Sequence, residues 1–180
     1  MNDELTETLR LAQRLGFFGP GPIEAAVKHA AGFADALGHV AAGSRVVDLG
    51  SGGGLPGLVL ADRFPECVVT LIDRRTKRTD FLERAVRRLG LTNTTVRAGD
   101  AERLVDEVQR GITPPFDAVT ARGFGPPAVT LRIAQAVLAA DGLVVISEPP
   151  SGDRWDPELL ADLGLSGQAH GSVRVFRRFT

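Results

Sequence analysis

A doubly wound α/β fold, with a mostly parallel sheet and helices on both of its faces, is what this sequence predicts, and three observations predict it. Short apolar runs alternate with helix-length amphipathic segments from Arg45 onward, and a β-α-β-α alternation of this kind implies a parallel sheet. The first of those strands runs into a glycine-rich turn that opens a helix, which is how such a sheet offers its first strand edge to a nucleotide-like ligand. An acid, Asp73, ends the second strand about 20 residues beyond that turn, where a carboxylate can accept hydrogen bonds from ribose hydroxyls.

The elements follow in order. Leu5, Leu9, Ala12 and Leu15 recur at helical spacing, with Thr6 or Asp3 to cap the start. Gly19-Pro20-Gly21-Pro22 breaks that helix, and an alanine-rich helix runs from about Ile23 to Leu37. Arg45 to Leu49 is the first strand, with Pro56 to Arg63 as its helix. Val68 to Asp73 is the second strand, followed by a helix from about Lys77 to Leu89. Thr94 to Arg97 is a short third strand before a helix over Ala101 to Arg110. Past the loop at Thr113-Pro114-Pro115, Phe116 to Thr120 is the fourth strand and Ala128 to Ala139 its helix. Leu143 to Ser147 is the fifth strand, and a short helix near Pro157 to Leu163 precedes a terminal strand, Val173 to Phe179. One domain over 1–180 is expected, with 1–40 a helical N-terminal extension and 44–180 the α/β core.

The bulk numbers exclude more than they assign. The chain has 180 residues, 43% hydrophobic and 24% charged, enough for one sizeable core. Cys67 is the only cysteine, so an intramolecular disulfide is impossible. The start, Met1-Asn2-Asp3-Glu4, lacks the charged-then-apolar pattern of a secretory signal. No apolar run reaches membrane-spanning length, so a cytoplasmic protein without a membrane partner is expected. A net charge of −1 gives no global pull toward nucleic acid; a local basic patch would have to supply it.

The glycine turn fits two frames. Gly52-Gly53-Gly54-Leu55-Pro56-Gly57 has the G-x-G-x-x-G spacing of dinucleotide enzymes. Asp48-x-Gly50-x-Gly52-x-Gly54 fits the acid-led loop of S-adenosylmethionine methyltransferases. The second frame is favoured. A dinucleotide fingerprint should begin where the strand ends, at Gly50, and counted from there its last glycine falls on Leu55. Asp48 can meet the cofactor's ammonium group directly or through water, whereas it would repel a pyrophosphate. Proline at position 56 suits the first helical position, and the free N–H groups of that helix start favour an anionic group.

Other candidates each carry a plain alternative. Asp100, after Gly99, can accept from an adenine amino group, with the backbone of Ala101 reaching a ring nitrogen; it also reads as a helix N-cap. Arg122, just past the fourth strand, offers a fork of donors for substrate or cofactor; the alternative is a salt bridge to Asp117 or Glu102. It stays protonated and is no base. Lys77 and Arg78 open a helix whose outer face carries Arg84, Arg87 and Arg88; these can hold RNA phosphates, although a solvated face is the simpler reading. His29, His39 and His170 are scattered, no Cys/His cluster suggests zinc, no serine sits in a hydrolase elbow, and no cysteine lies near the fourth strand. An acceptor that needs no base suits this poverty. Guanine N7 carries a lone pair at neutral pH, so alignment and dehydration suffice.

At this point the chain resembles one family. Asp48 through Gly57, with its Leu55-Pro56-Gly57 ending, is similar to the loop of the bacterial small-subunit rRNA guanine-N7 methyltransferases, also called the glucose-inhibited division protein B family. Thr70-Leu71-Ile72-Asp73, Lys77-Arg78, Phe81-Leu82, Leu89 to Asn93 and Phe116 to Phe124 resemble it too. The resemblance implies a Rossmann-like class I S-adenosylmethionine-dependent methyltransferase with a sheet of the seven-stranded type. It implies methylation of guanine N7 in 16S rRNA, with that RNA or a small ribosomal subunit precursor as partner. Gly50, Ser51, Gly52, Gly54, Leu55 and Asp73 would hold the cofactor; Asp100, Ala101 and Glu102 would lie near adenine, and Arg122 near the methyl-transfer site.

Departures fall on the substrate side. The family's arginine after the third strand is Asp100 here, and its lysine-glycine pair after the fifth strand is Ser147-Glu148-Pro149-Pro150. Its N-terminal Trp-Asn and Asn-Leu-Thr signature is absent; Lys28-His29 resembles its Arg-His, but the Asp-Ser-Leu that follows in the family is Gly32-Phe33-Ala34 here. A diverged small-molecule methyltransferase and a non-catalytic cofactor-binding module are the alternatives.

Overall fold

The computed structural model describes residues 3–38, 40–149 and 154–179. His39 and Pro150, noted in the sequence, lie outside them. The chain folds as α1 (Asp3–Arg14), α2 (Ile23–Leu37), β1 (Arg45–Leu49), α3 (Gly57–Arg63), β2 (Val68–Asp73), α4 (Thr76–Arg88), β3 (Thr94–Ala98), α5 (Ala101–Gln109), β4 (Phe116–Ala121), α6 (Pro127–Val137), β5 (Leu138–Ser147), α7 (Pro157–Asp162), β6 (Leu165–His170) and β7 (Val173–Arg178).

The strands form one sheet in the order β3-β2-β1-β4-β5-β7-β6. Pairing from β3 through β5 is parallel, and β7 runs antiparallel to both β5 and β6. Strand order reverses between β1 and β4, which opens a crevice at their carboxyl ends.

Side-chain alternation divides the core into two layers. Val46, Val69, Leu71, Ala118 and Val145 face one apolar cluster together with buried residues of α1 to α4. Val47, Leu49, Val119, Ala121 and Val144 face the other, with α5, α6 and α7. The first two helices are therefore part of the packed layer: Leu5, Leu9, Val27 and Phe33 share its core with Leu58 and Leu82. Each such side chain contributes roughly 1.5–3 kcal/mol on burial.

Several boundaries differ from the sequence reading. Thr6 lies inside α1 and caps nothing, since the helix already runs from Asp3. Pro56 takes the N-cap position, and α3 starts one residue later at Gly57. The helix expected to reach Ala139 ends at Val137, because Leu138 turns extended (φ −80°, ψ 134°) and pairs with Phe116. The pairing then jumps to Ala118 with Leu143, so β5 begins at Leu138 and bulges through Ala139 to Gly142. The sequence reading misses β6 altogether. Ser166, Gly167, Gln168 and Ala169 are poor strand formers, and an outermost strand with one neighbour needs no apolar alternation.

Candidate functional site

The loop after β1 turns through three glycines at positive φ: Gly50 (67°), Gly52 (57°) and Gly54 (99°). Other residues strain there. Three bonds anchor the turn. Ser51 N–H donates to Ile72 O (2.9 Å) and Gly54 N–H to Ser51 O (2.7 Å), while Gly52 N–H donates to Asp73 Oδ2 (2.9 Å). The other Asp73 oxygen accepts from Arg75 N–H (2.9 Å), and Arg78 Nη1 lies 3.4 Å from Oδ2. Asp73 therefore braces the glycine turn and, with lone pairs to spare, also faces the crevice.

Asp48 requires a correction. It shares strand parity with Val46 and points beneath α3, wholly buried. Its Oδ1 accepts from the Thr120 hydroxyl (2.8 Å) and its Oδ2 from Gly57 N–H (3.2 Å). Direct contact with a cofactor ammonium gives way to a bracing role, because both oxygens are turned inward. Burial pushes its carboxyl up to about 6, against the lowering influence of the Thr120 hydroxyl, Gly57 N–H and the charge of Arg122.

Three adjoining cavities follow the carboxyl ends of the strands. The first, about 370 Å³, is lined by Gly50, Asp73, Asp100, Ala101, Glu102 and Phe124. The second, about 250 Å³, lies between Phe17 and Phe18 on one side and Gly50, Ser51, Gly52 and Leu55 on the other. Arg78 lines both of these. The third, about 320 Å³, is lined by His29, Arg122, Phe124, Ser147, Glu148 and Arg154. Arg122 lines the second and third. The structure thus brings together ten of the sequence candidates: Gly50, Ser51, Gly52, Leu55, Asp73, Arg78, Asp100, Ala101, Glu102 and Arg122. Two stand apart. Gly54 serves the turn, with Leu58 filling the space beside it, and Lys77 lines a shallow outer hollow with Leu15 and Thr76.

Asp100 resolves its two readings in a divided way. It occupies the N-cap position of α5, yet its side chain makes no capping bond, so the carboxylate is left to the cavity. Arg122 has no carboxylate within 4 Å among the described residues. The expected partner Asp117 instead accepts from Arg45 N–H (2.7 Å). Burial lowers the Arg122 guanidinium from its ordinary range and the charge of Asp48 opposes this; it remains a cation. Two of the outer arginines form exposed ion pairs: Arg88 with Glu4 (3.2 Å) and Arg87 with Glu83 (4.0 Å).

Sequence reasoning missed four residues. His29, on α2, reaches the third cavity, and burial together with the charge of Arg122 lowers its imidazole toward the neutral form. Phe17 and Phe18 lid the glycine turn: Phe18 packs where a Cβ on Gly53 would sit, and Phe17 stands edge-on to Phe81 at 5.4 Å. An aromatic pair just before a Gly-Pro break was the available signal. Glu148 was noted only as a departure. Its carboxylate accepts from Trp155 Nε1–H (2.6 Å) and Arg174 Nε–H (3.3 Å), with Arg154 Nε at 3.7 Å.

Comparison with known proteins agrees with this geometry. A family model described as rRNA small subunit methyltransferase G matches residues 22–148. The protein named ribosomal RNA small subunit methyltransferase G from Sorangium cellulosum is 41% identical over 123 residues, which cover 68% of this chain and 49% of that one. Its namesake from Laribacter hongkongensis is 41% identical over 101 residues, 56% of this chain and 46% of that one. The chain thus spans about half the length of these curated relatives. Among solved structures, one described as a putative O-methyltransferase from Klebsiella pneumoniae superposes with a TM-score of 0.70 at 14% identity, covering 100% of this chain and 91% of that one. At that identity the likeness establishes the fold, a class I methyltransferase sheet. With the family match laid over the glycine turn, the Asp73 brace and the strand that carries Arg122, the chain belongs to the rRNA small subunit methyltransferase G family.

Proposed function

We propose that the chain is an S-adenosylmethionine-dependent methyltransferase that acts on guanine N7 in 16S rRNA, alone or in a small ribosomal subunit precursor, in the cytoplasm. The observation that carries this reading is the pair of cavities joined along Gly50 and Arg78, with a third across Arg122. That is room for a nucleoside, for its amino-acid arm and for an acceptor base.

The residues fit the cofactor. Gly50 lines the first two cavities, where a Cβ would meet the Phe124 ring at 2.8 Å, and Gly52 lines the second. Asp73 and Asp100 present carboxylate acceptors where ribose hydroxyls and an adenine amine would fall. When bound, the cofactor supplies an electrophilic methyl group. Everything else rests on the chain. Phe17 and Phe18 form an apolar wall on one side of the second cavity. Arg122 orients the acceptor at the border between cavities. Guanine N7 needs no deprotonation, so alignment with the methyl group suffices.

The test is incubation with methyl-tritiated S-adenosylmethionine and deproteinised small-subunit rRNA from a strain lacking the modification, followed by mapping of the label. Label on one guanine N7 is expected. Bound cofactor without label, on free RNA and on partly assembled subunits alike, refutes the acceptor and turns attention to small molecules.

A further inference from the structure

The third cavity contains a carboxylate that the methyl-transfer reading leaves without a task. Glu148 follows β5 directly, and its side chain is only 13% exposed. Three neighbours hold it. The Trp155 indole N–H donates to Oε1 at 2.6 Å, Arg174 Nε–H donates to Oε2 at 3.3 Å, and Arg154 Nε lies 3.7 Å from Oε1. Those neighbours are fixed in turn. Arg154 stacks over the Trp155 ring at 4.7 Å and donates to Ser147 O at 2.5 Å, and Trp155 stands edge-on to Phe176 at 4.7 Å. A largely buried carboxylate with this much support has one orientation, and it lines the same cavity as Arg122 and Phe124.

We infer that Glu148 is the residue that selects guanine in the acceptor cavity, by accepting hydrogen bonds from the N1–H and the exocyclic amine of the base. The inference rests on the guanine-N7 reading above. A carboxylate is an acceptor only, with about four lone-pair positions, so two remain after Trp155 and Arg174. Among nucleobases, guanine is the one that offers two adjacent donors along its Watson–Crick edge. Adenine offers an acceptor at N1 and is repelled. Guanine's N7 lies on the opposite side of the ring system from those donors. A base held at Glu148 therefore turns N7 away from it, and Arg122, which this cavity shares with the second, meets the O6 edge.

Charge favours the same arrangement. Methylation at N7 leaves the purine positively charged and makes N1–H a stronger donor. A fixed carboxylate at that edge gains most as the charge develops, which is the condition for lowering a barrier rather than tightening ground-state binding alone.

The test uses small-subunit rRNA in which the methylated guanosine alone is replaced by inosine, which keeps N7, O6 and N1–H but lacks the exocyclic amine. Wild type is expected to prefer guanosine about tenfold or more in kcat/KM, the range of one base-edge contact, and to show a preference of the same sense in RNA binding without cofactor. Glu148→Gln, whose amide cannot accept from both donors, brings that preference to within about twofold. A purely structural role lowers both rates and leaves their ratio intact, so the ratio decides even where the variant is less stable. Equal use of guanosine and inosine by wild type, with label on N7, overturns the assignment alone, as does a Glu148→Gln variant that keeps the preference. No label on guanosine RNA overturns the acceptor reading and this assignment with it.

Discussion

The crevice walled by Gly50, Gly52 and Asp73 and the cavity walled by His29, Arg122 and Glu148 lie side by side, yet the chain builds them differently. The crevice comes from one β-α-β passage, where a glycine turn and the next strand end are bonded to each other through Gly52 N–H and Asp73. The cavity is collected from α2, from the segment after β4 and from the end of β5. The lesson is that affinity for the cofactor depends on backbone shape, whereas choice of acceptor depends on side chains that separate elements deliver. The first tolerates little change at few positions; the second can change one wall at a time.

Substitutions can break that division. The largest expected effect is at Gly52→Asp. The new residue must take a φ of 57° and sets a second carboxylate near Asp73. Cofactor affinity by calorimetry should fall beyond detection while the circular dichroism spectrum stays native; an unchanged Kd would show that the crevice is misplaced.

Next is Asp48→Asn, which acts on the joint between the two regions. The folded-state carboxyl stands near 6 against an ordinary 3.8. A raised acid stabilises the fold fully below the unfolded value, and that contribution is lost as pH rises through the folded one. The loss is on the order of 3 kcal/mol. Denaturant titrations from pH about 4 to 7 should show the variant gaining on wild type by that order, and a gap flat with pH would contradict the burial argument.

Arg122→Ala should then separate the regions. A drop of roughly thirtyfold in kcat/KM for RNA is expected, the size of one lost charge-assisted contact, with cofactor Kd within about threefold. A parallel collapse of cofactor affinity would move Arg122 to the crevice. Arg88→Ala is the control that touches neither region. Its exposed pair with Glu4 predicts less than about 1 kcal/mol in stability and no change in turnover.

The crevice was legible in the sequence because its parts are neighbours. The acid-led glycine run, the proline and the strand-end Asp73 lie within one unit, and local sterics allow few other conformations. The acceptor side was less legible for the converse reason. His29 and Glu148 acquire meaning only when β4 and β5 pair and α2 packs across them, and nothing local to Lys28-His29 or Glu148-Pro149 announces it. Asp48 shows a subtler failure. Its position in the motif was plain, but its direction follows from the parity of β1, which sends it under α3 with Val46 instead of into the crevice with the loop. Strand β6 was hidden because its polar residues carry no alternation to read.

The Asp48 carboxylate has a consequence for how this protein can be altered. It takes a hydroxyl from Thr120 on one strand and an amide from Gly57 at the head of a helix. The helix head sits at the end of the loop that shapes the crevice, and Thr120 lies two residues before Arg122. Replacing Thr120 by valine would leave one carboxylate oxygen without its donor, and the disturbance would reach the crevice through Gly57 and the loop before it. Asp48 thus ties the end of the fourth strand to the head of α3, so a change on the acceptor side can be felt at the cofactor loop without touching it.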